Sequence, residues 1–335
     1  MFNHSVVLEK NQKRPAKRVA RRQRLSPFRL AIIDLGTNSV RLDIYRISPK
    51  GNSRIYRGKI MIRLGDGVFE TGRLTRAGML RALKAFKRFR SLMIEHHVDQ
   101  IVAFGTSALR TAKNTKSFLH FLKLKTGITI RVISGAQEGR LIAKGILKNV
   151  EVPKTHYALV DIGGGSTEIS IGRGQKILMG HSFALGANRL QQNFFKSIPP
   201  VQRRGSLHPI LALRHHLKES LYPLTQLRPK IQVKHLIGSS GTIRTVARIL
   251  KKMGRKGDTV YRADISALIS EIQTMSREQL KRLPGLEPKR VDLILSGAIL
   301  LEEIMLALDV RTLETTDVAL RDGILVEALA RYASS

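Results

Sequence analysis

One stretch of the sequence combines carboxylates, glycines and hydroxyls in a pattern that can hold a phosphate group. Between Asp161 and Glu168 the sequence reads Asp-Ile-Gly-Gly-Gly-Ser-Thr-Glu, and an apolar run precedes it. We interpret this stretch as a β-hairpin with a glycine-rich turn. Because glycine permits positive φ and close approach, successive N–H groups of such a turn can converge on an anion. The phosphate-binding residues predicted here are Gly163, Gly164, Gly165, Ser166 and Thr167.

The two carboxylates at the ends of this stretch suggest a metal site. Asp161 and Glu168 can meet across the hairpin and hold a hard divalent cation. Mg²⁺ prefers one or two carboxylates together with water and substrate phosphate oxygens, so Mg²⁺ or another divalent cation is the predicted cofactor. The alternative is an ordinary hairpin, because an isolated glycine-rich match is weak evidence.

The same design occurs earlier in the chain. An apolar strand leads into Asp34 and is followed by a glycine, a hydroxyl residue and an alternating strand. Two such hairpins suggest a duplicated phosphate clamp, and the first is predicted to use Gly36, Thr37, Asn38 and Ser39. A third Gly/Ser loop follows an apolar strand and precedes a helix, whose N-terminal N–H groups would face an anion. Its predicted binding residues are Ser240, Gly241 and Thr242.

Composition limits the class of protein. The 335 residues suffice for two domains of ordinary size. There is no cysteine, which excludes disulfides and thiolate sites and is compatible with a cytoplasmic location, our expectation. No uninterrupted apolar run of about 18 residues is present, so we expect no membrane span. The formal net charge of +34 favours polyanionic partners: nucleic acid, polyphosphate or highly phosphorylated nucleotides.

Part of this charge is concentrated at the N-terminus. Residues 1–29 contain nine Lys or Arg residues and one acid, Glu9. Residues 1–28 lack periodicity and are crowded with like charge, so we predict a disordered basic arm. Such an arm could bind polyanions or nucleic acid nonspecifically, and an organelle transit peptide is the alternative.

From residue 30 onward, strands alternate with helices, which indicates an α/β fold. The ordered motifs along this pattern resemble the exopolyphosphatase / guanosine pentaphosphate phosphohydrolase family, within the actin and sugar-kinase superfold. The matching segments are 33–39, 105–110, 133–140, 161–168, 238–242 and 316–323. Two departures are notable: the acidic pair usual in the family is Gln137-Glu138 here, and longer relatives continue into a helical domain, so chain-length preference and processivity are left open.

The resemblance implies two actin-like (ribonuclease H-like) domains, with mixed sheets flanked by helices and an interdomain phosphate-binding cleft. We expect residues 29–135 and 313–335 to form one domain and residues 136–312 to form the other. Relatives are frequently dimers, so a homodimer is an expected assembly, although the apolar segment 292–308 is interpreted as core.

The resemblance also implies catalytic roles. Glu138 would deprotonate water, and Arg110 would pair with phosphate oxygens through its bidentate guanidinium. Asp161 and Glu168 would hold Mg²⁺, with Asp34 in the outer shell. The alternatives are a first-turn glutamate favoured by the helix dipole and a solvated surface arginine.

The predicted function is that of an exopolyphosphatase that releases orthophosphate from inorganic polyphosphate. Hydrolysis of guanosine pentaphosphate is the alternative within the same family. An ATPase of the same superfold is less consistent with the segment around Glu138, and a sugar kinase would need an Asp placed as base for a sugar hydroxyl, which the sequence does not indicate. The alternative outside the enzymes is a polyanion or nucleic-acid binding protein on an actin-like scaffold.

Overall fold

The computed structural model describes residues 27–202, 204–255 and 257–334. The predicted basic arm lies outside these residues except at its end, where residue 28 already belongs to the first strand. Its disorder and its binding role therefore stay predictions. Within the described residues, no helix combines the length and apolar character needed to cross a membrane.

The first sheet has five strands in the order β3-β2-β1-β4-β5. β1 pairs antiparallel with β2 and parallel with β4, so the sheet is mixed. The central strand β1 is buried on both faces, whereas β3 lies at the edge and is largely exposed. The strands are β1 (Phe28–Leu35), β2 (Ser39–Ser48), β3 (Gly51–Met61), β4 (Gln100–Gly105) and β5 (Arg131–Val132).

The second sheet has six strands in the order β10-β11-β9-β6-β7-β8. β6 pairs antiparallel with β7 and parallel with β9, as β1 does with β2 and β4 in the first sheet. Apart from the added edge strand β10, the two sheets therefore share one strand order. The strands are β6 (His156–Ile162), β7 (Thr167–Arg173), β8 (Lys176–Phe183), β9 (His235–Ser239), β10 (Thr259–Tyr261) and β11 (Thr312–Thr315).

Helices cover both sheets, which confirms the predicted α/β class. Those before residue 150 are α1 (Val68–Thr71), α2 (Arg76–Glu95), α3 (Ser107–Thr111), α4 (Thr115–Thr126) and α5 (Gly135–Asn149). The others are α6 (Ala187–Phe194), α7 (Pro209–Thr225), α8 (Gly241–Lys252), α9 (Arg262–Ile272), α10 (Arg277–Arg282), α11 (Ile294–Ala307) and α12 (Leu320–Ser334). A 3₁₀ turn, Pro288–Leu293, leads into α11, which is buried in the core as predicted for this segment.

Two helices, α5 and α12, pack between the sheets. Their buried side chains, such as Ile142 and Ile324, form one cluster with Ile32 of β1 and Leu159 of β6. The two helices approach closely, because a Cβ added to Gly145 would lie 2.7 Å from the backbone nitrogen of the facing helix. Consequently, α5 is held in a fixed position relative to both sheets.

The division of the chain into domains stays a prediction. The strand β11 belongs to the second sheet, whereas α12, which follows it, contacts α5 and β1. The change from one sheet to the other thus occurs between these two elements.

Candidate active site

A cavity of about 100 Å³ lies between the two sheets, at the turns that connect β1 to β2 and β6 to β7. We call it the turn cavity. Most of the residues predicted from the motifs line it: Asp34, Gly36, Thr37, Asn38, Ser39, Glu138, Asp161, Gly163, Gly164, Gly165, Ser166, Ser240, Gly241 and Thr242. Stretches far apart in the sequence are therefore brought together at one place.

The two turns have the same backbone design. In the first, the Gly36 N–H donates to the Ser39 carbonyl at 3.0 Å; in the second, the Gly163 N–H donates to the Ser166 carbonyl at 2.9 Å. The residues of each turn line the cavity, where a phosphate-binding turn would place its backbone N–H groups. The strand registers also correspond, with Asp34 opposite Arg41 and Asp161 opposite Glu168.

The two turns touch each other. A Cβ added to Gly164 would lie 2.7 Å from Thr37 Cβ and 2.9 Å from Asn38 Nδ2, so only glycine allows this approach. Asn188 of α6 bridges the same gap and donates to Asn38 Oδ1 at 2.8 Å. Gln192, one turn further along α6, donates to the Gly65 carbonyl at 2.8 Å. The structure therefore represents a closed cleft.

Glu138 lies in the first turn of α5, and its position follows from the start of that helix. Ser134 caps the helix: its Oγ accepts from the Gln137 N–H at 3.2 Å, and Gln137 Oε1 accepts from the Ser134 N–H at 3.0 Å. This reciprocal capping box fixes the first turn. Gln137, which replaces an acid usual in the family, therefore has a capping role here.

Arg110 of α3 connects three parts of the site. Its Nη1 donates to Glu138 Oε2 at 2.6 Å and to the Ile133 carbonyl at 3.0 Å. Its Nη2 donates to Ser166 Oγ at 3.1 Å and lies 3.9 Å from Glu168 Oε1. Arg110 is thus part of a buried network, in contrast to the solvated surface charge that was the alternative.

Burial dominates the ionisation of Glu138. It raises the pKa of this carboxyl from 4.5 to about 7, although the charge and hydrogen bond of Arg110 act in the opposite direction. Burial also raises the pKa of Glu168 well above its usual value, and the charges of Glu138 and Asp161 add to this effect. The pKa of Asp161 is raised by burial as well, against a hydrogen bond from Ser239. Glu138 does lie in the first turn of α5, so the helix dipole also acts on it, and its role as the base stays a prediction.

The carboxylates of the site have the chemistry to hold a divalent cation. Glu168 Oε1 accepts from Ser182 at 2.8 Å, but its other oxygen, Oε2, is buried without a hydrogen-bond partner. Such an oxygen next to other carboxylates is favourable for a hard cation. Within the described residues, no group of three or more acidic or histidine side chains is arranged to hold a metal. Because Mg²⁺ often needs only one or two carboxylates, the donor set fits Mg²⁺, and the predicted ligands stay a prediction.

Three predicted residues are not in the wall of the turn cavity: Arg110, Thr167 and Glu168. Arg110 and Glu168 belong to the network just described. Thr167 is fully buried, and its hydroxyl donates to the Leu185 carbonyl at 2.7 Å. Its side chain therefore stabilises the base of the hairpin, and the prediction that its backbone N–H contributes to phosphate binding stays a prediction.

Two arginines that were not predicted line the turn cavity, Arg41 and Arg290. Arg41 Nη1 lies 3.9 Å from Asp34 Oδ2, and burial lowers the pKa of its guanidinium. Arg290 packs over Gly241, where an added Cβ would lie 3.0 Å from its Cζ. Asp34 also faces Arg321, whose Nη1 lies 3.6 Å from Oδ2. Arginines and carboxylates therefore both line the turn cavity, and Asp34 lies close to two arginines.

Comparison with protein families gives a match over residues 44–332, to the family described as "Ppx/GppA phosphatase family". Among curated proteins, "Exopolyphosphatase 2" of Mycobacterium tuberculosis is 29% identical over 292 residues, which are 82% of this chain and 89% of that protein. A "Bifunctional 3-dehydroquinate synthase/phosphatase" of Fusobacterium nucleatum is 30% identical over 83% of this chain and 43% of its own length.

Solved structures agree with this match. An exopolyphosphatase from Cytophaga hutchinsonii superposes with a TM-score of 0.81 at 28% identity, covering 90% of this chain and 98% of that one. The Ppx/GppA family member from Aquifex aeolicus gives a TM-score of 0.71 at 28% identity, covering 92% and 99%. These likenesses confirm the predicted two-domain actin-like fold.

Proposed function

Since the chain belongs to the Ppx/GppA phosphatase family, we propose that it is an exopolyphosphatase that hydrolyses the terminal phosphoanhydride bond of inorganic polyphosphate. The observation that best supports this function is the position of Glu138. A buried carboxyl with a pKa of about 7 faces a cavity formed by two phosphate-binding turns. A general base works best when its pKa lies near the operating pH.

In the proposed reaction, a water molecule attacks the terminal phosphorus and transfers a proton to Glu138. The bond between this phosphorus and the bridging oxygen breaks, and the bridging oxygen keeps the electron pair. Orthophosphate and a chain shorter by one phosphate are the products. Phosphoryl transfer of this kind depends mainly on positioning and on stabilising charge on the oxygens.

Positioning comes from the two turns. Their backbone N–H groups would contact the terminal phosphate from both sides, because Gly164 and Thr37 bring the turns together. Arg110 would exchange its bond with Glu138 for a bidentate contact with phosphate oxygens, which releases the carboxylate to accept the proton. Arg41 and Arg290 would stabilise the negative charge of the rest of the chain.

The proposed cofactor is Mg²⁺, held by Asp161 and Glu168, with Asp34 in its outer shell. When bound, it would offset negative charge on the phosphate oxygens and on the surrounding carboxylates. Burial and the charges of Glu138 and Asp161 raise the pKa of Glu168, and a bound cation would offset these charges.

The experiment measures orthophosphate release from long-chain polyphosphate and from guanosine pentaphosphate in parallel, with Mg²⁺ and with EDTA. Glu138→Ala is expected to lose at least about a hundredfold of the rate, the scale expected for a general base. Glu151→Ala, an exposed glutamate just beyond the end of α5, is the matched control and is expected to keep the wild-type rate.

Each outcome of this experiment has a definite meaning. Cleavage of the nucleotide alone would replace polyphosphate by guanosine pentaphosphate as the substrate. If neither compound is cleaved while polyanions still bind, the protein is a binding protein and the catalytic roles are wrong. Unchanged activity of Glu138→Ala would remove Glu138 as the base.

A further inference from the structure

A second cavity, of about 420 Å³, opens beside Arg110. Residues of α3, the first turn of α5, β8 and α6 form its walls, among them Arg110, Gly135, Ser182 and Arg189. Its volume exceeds the share of several water molecules, at about 30 Å³ each. It has enough room for an oxyanion with part of its hydration shell.

The second cavity adjoins the turn cavity. Ser107 and Ser166 line both, whereas Glu138 lines only the turn cavity and Arg110 only the second cavity. Because Arg110 and Glu138 are joined by a 2.6 Å hydrogen bond, this ion pair lies in the wall between the two spaces. A phosphate released beside Glu138 would therefore be next to the second cavity.

The charge of the second cavity is positive. Arg110 and Arg189 line it, and no aspartate or glutamate does so among the described residues. Arg110 is paired with Glu138, but within the described chain no carboxylate forms an ion pair with Arg189. Burial lowers the pKa of Arg189, and the nearby charge of Arg110 lowers it further. Two guanidinium groups in close proximity favour binding of an anion.

Arg189 is held rigidly in this position. Its Nε donates to the Gly165 carbonyl at 2.8 Å, and its Nη2 donates to Thr111 Oγ1 at 3.1 Å. The guanidinium also lies over the ring of Phe69, with Cζ 4.2 Å from the centroid. An ordered cation loses little side-chain entropy when an anion binds. These neutral partners leave its charge uncompensated.

We propose that the second cavity binds the orthophosphate product and lets it leave on the side opposite to the shortened polyphosphate chain. This inference rests on the proposed function, since it assigns the product of that reaction. Orthophosphate carries up to two negative charges near neutral pH and can accept hydrogen bonds from both arginines. Arg110, the proposed partner of the terminal phosphate, lies in the wall of the second cavity and can therefore also contact the freed orthophosphate.

The consequence concerns the order in which products leave. With a single opening, orthophosphate could leave only after the shortened chain had moved away. With a separate site, the chain can stay bound while orthophosphate departs, and the next phosphate can then move into place. The second cavity thus provides a structural basis for successive cleavage of one chain.

The test uses Ala184, an exposed residue in the wall of the second cavity. Ala184→Glu places a negative charge at the cavity, and Ala184→Gln is the matched control, because it has nearly the same shape without the charge. Both variants are first checked for an unchanged melting temperature. Two measurements follow: inhibition of polyphosphate hydrolysis by inorganic phosphate, and direct binding of inorganic phosphate by calorimetry.

For the wild type, we expect inhibition by inorganic phosphate to be noncompetitive with polyphosphate, because orthophosphate leaves first, from an enzyme that still holds the shortened chain. Ala184→Glu should weaken both inhibition and phosphate binding at least about tenfold, which corresponds to about 1.4 kcal/mol. Ala184→Gln should change them less than about threefold, or about 0.7 kcal/mol. Purely competitive inhibition, or equal effects of the two variants, would overturn the proposal.

Failure of the proposed function gives a different result. In that case polyphosphate is not hydrolysed, but calorimetry still measures phosphate binding to the wild type and the two variants. Binding weakened by Ala184→Glu and not by Ala184→Gln would keep the anion site and remove its role in product release. If the enzyme hydrolyses polyphosphate but does not bind inorganic phosphate, the anion site is overturned and the proposed function stands.

Discussion

Arg110 Nη1 lies 2.6 Å from Glu138 Oε2, and the same guanidinium donates to Ser166 Oγ at 3.1 Å. One cation thus connects the proposed base, on α5, with the glycine-rich turn of the second sheet. The bond to Glu138 competes with the burial that favours the protonated carboxyl. When the terminal phosphate replaces Glu138 as the partner of Arg110, the burial of Glu138 favours transfer of a proton to its carboxylate.

The rate of hydrolysis should increase with pH through about 7. Glu138 accepts a proton only in its ionised form, and its pKa is raised from 4.5 to about 7 by burial. We expect kcat/KM for polyphosphate to rise about tenfold per pH unit below this value and to level off above it. The measurement is a pH–rate profile at low substrate concentration. A rate that is already constant from about pH 5.5 upward would show that the base has an ordinary glutamate pKa.

Glu138→Gln should be more stable than the wild type at pH 8. Between pH 4.5 and about 7, the unfolded chain loses the proton of Glu138 while the folded chain keeps it, so the wild type loses stability as pH rises. The penalty reaches roughly 3 kcal/mol above pH 7, since one pKa unit corresponds to about 1.4 kcal/mol. Glutamine does not ionise, so the variant has no such penalty. Thermal unfolding at pH 4.5 and at pH 8 tests this, and an equal difference in melting temperature at both pH values would contradict the prediction.

Gly164→Ala should prevent closure of the cleft. The added Cβ would lie 2.7 Å from Thr37 Cβ, so the turns would have to separate. We expect kcat/KM to fall at least about tenfold, because small displacements in positioning are costly. Gly139→Ala is the matched control: its Cβ would lie at an ordinary 3.6 Å from Glu168 Cβ, and glycine to alanine favours a helix. Similar kinetics of the two variants would show that the turns need not touch.

Arg321→Met should destabilise the protein by about 3–5 kcal/mol. Arg321 Nε donates to Asp43 Oδ2 at 3.0 Å, and Asp43 is fully buried. Burial alone would raise the pKa of Asp43, but Arg57 and Arg321 together hold it below its usual value. Arg57→Gln removes the half-exposed partner and leaves Arg321 paired with Asp43, so it should cost less than Arg321→Met. Urea unfolding compares the two, and equal losses would contradict the assignment.

Deletion of residues 1–26 should weaken polyanion binding and leave hydrolysis of short substrates unchanged. The deletion removes most of the basic arm and keeps β1, which begins at Phe28. Binding to long polyphosphate or nucleic acid should become weaker and less dependent on salt, because fewer cations release counterions. Titrations at low and high salt measure this. Unchanged affinity of the shortened chain would show that the arm is not the docking element.

The sequence was sufficient to predict both turns and the carboxylates near them. A glycine run between an aspartate and a hydroxyl residue is a local pattern, and backbone chemistry alone explains its use. Asp34, Asp161 and Glu138 follow from such patterns together with the family resemblance, and all three line the turn cavity. The role of the Thr167 side chain was not predictable from this pattern: side chains alternate along a strand, and the Thr167 hydroxyl faces away from Ser166 and Glu168 and donates to the Leu185 carbonyl.

The arginines of the site could not be found in the same way. The chain has 59 Lys and Arg residues, so a single arginine gives no local signal. Arg189 becomes significant only when α6 brings it beside Arg110 of α3, and this requires the tertiary fold. Arg41 is an exception, because its position opposite Asp34 corresponds to that of Glu168 opposite Asp161. A comparison of the two hairpins would have identified it.

The correspondence between the two hairpins also has a consequence for how the site distinguishes the end of a bound chain from the rest of it. The first hairpin places an acid opposite a base, Asp34 and Arg41, and the second places two acids opposite each other, Asp161 and Glu168. A nearly symmetric scaffold therefore places an asymmetric distribution of charge around the turn cavity. Polyphosphate, the proposed substrate, has two chemically equivalent ends, so only the charges of the site would distinguish the terminal phosphate from the rest of the bound chain. Directionality thus comes from the protein, where the substrate itself has none.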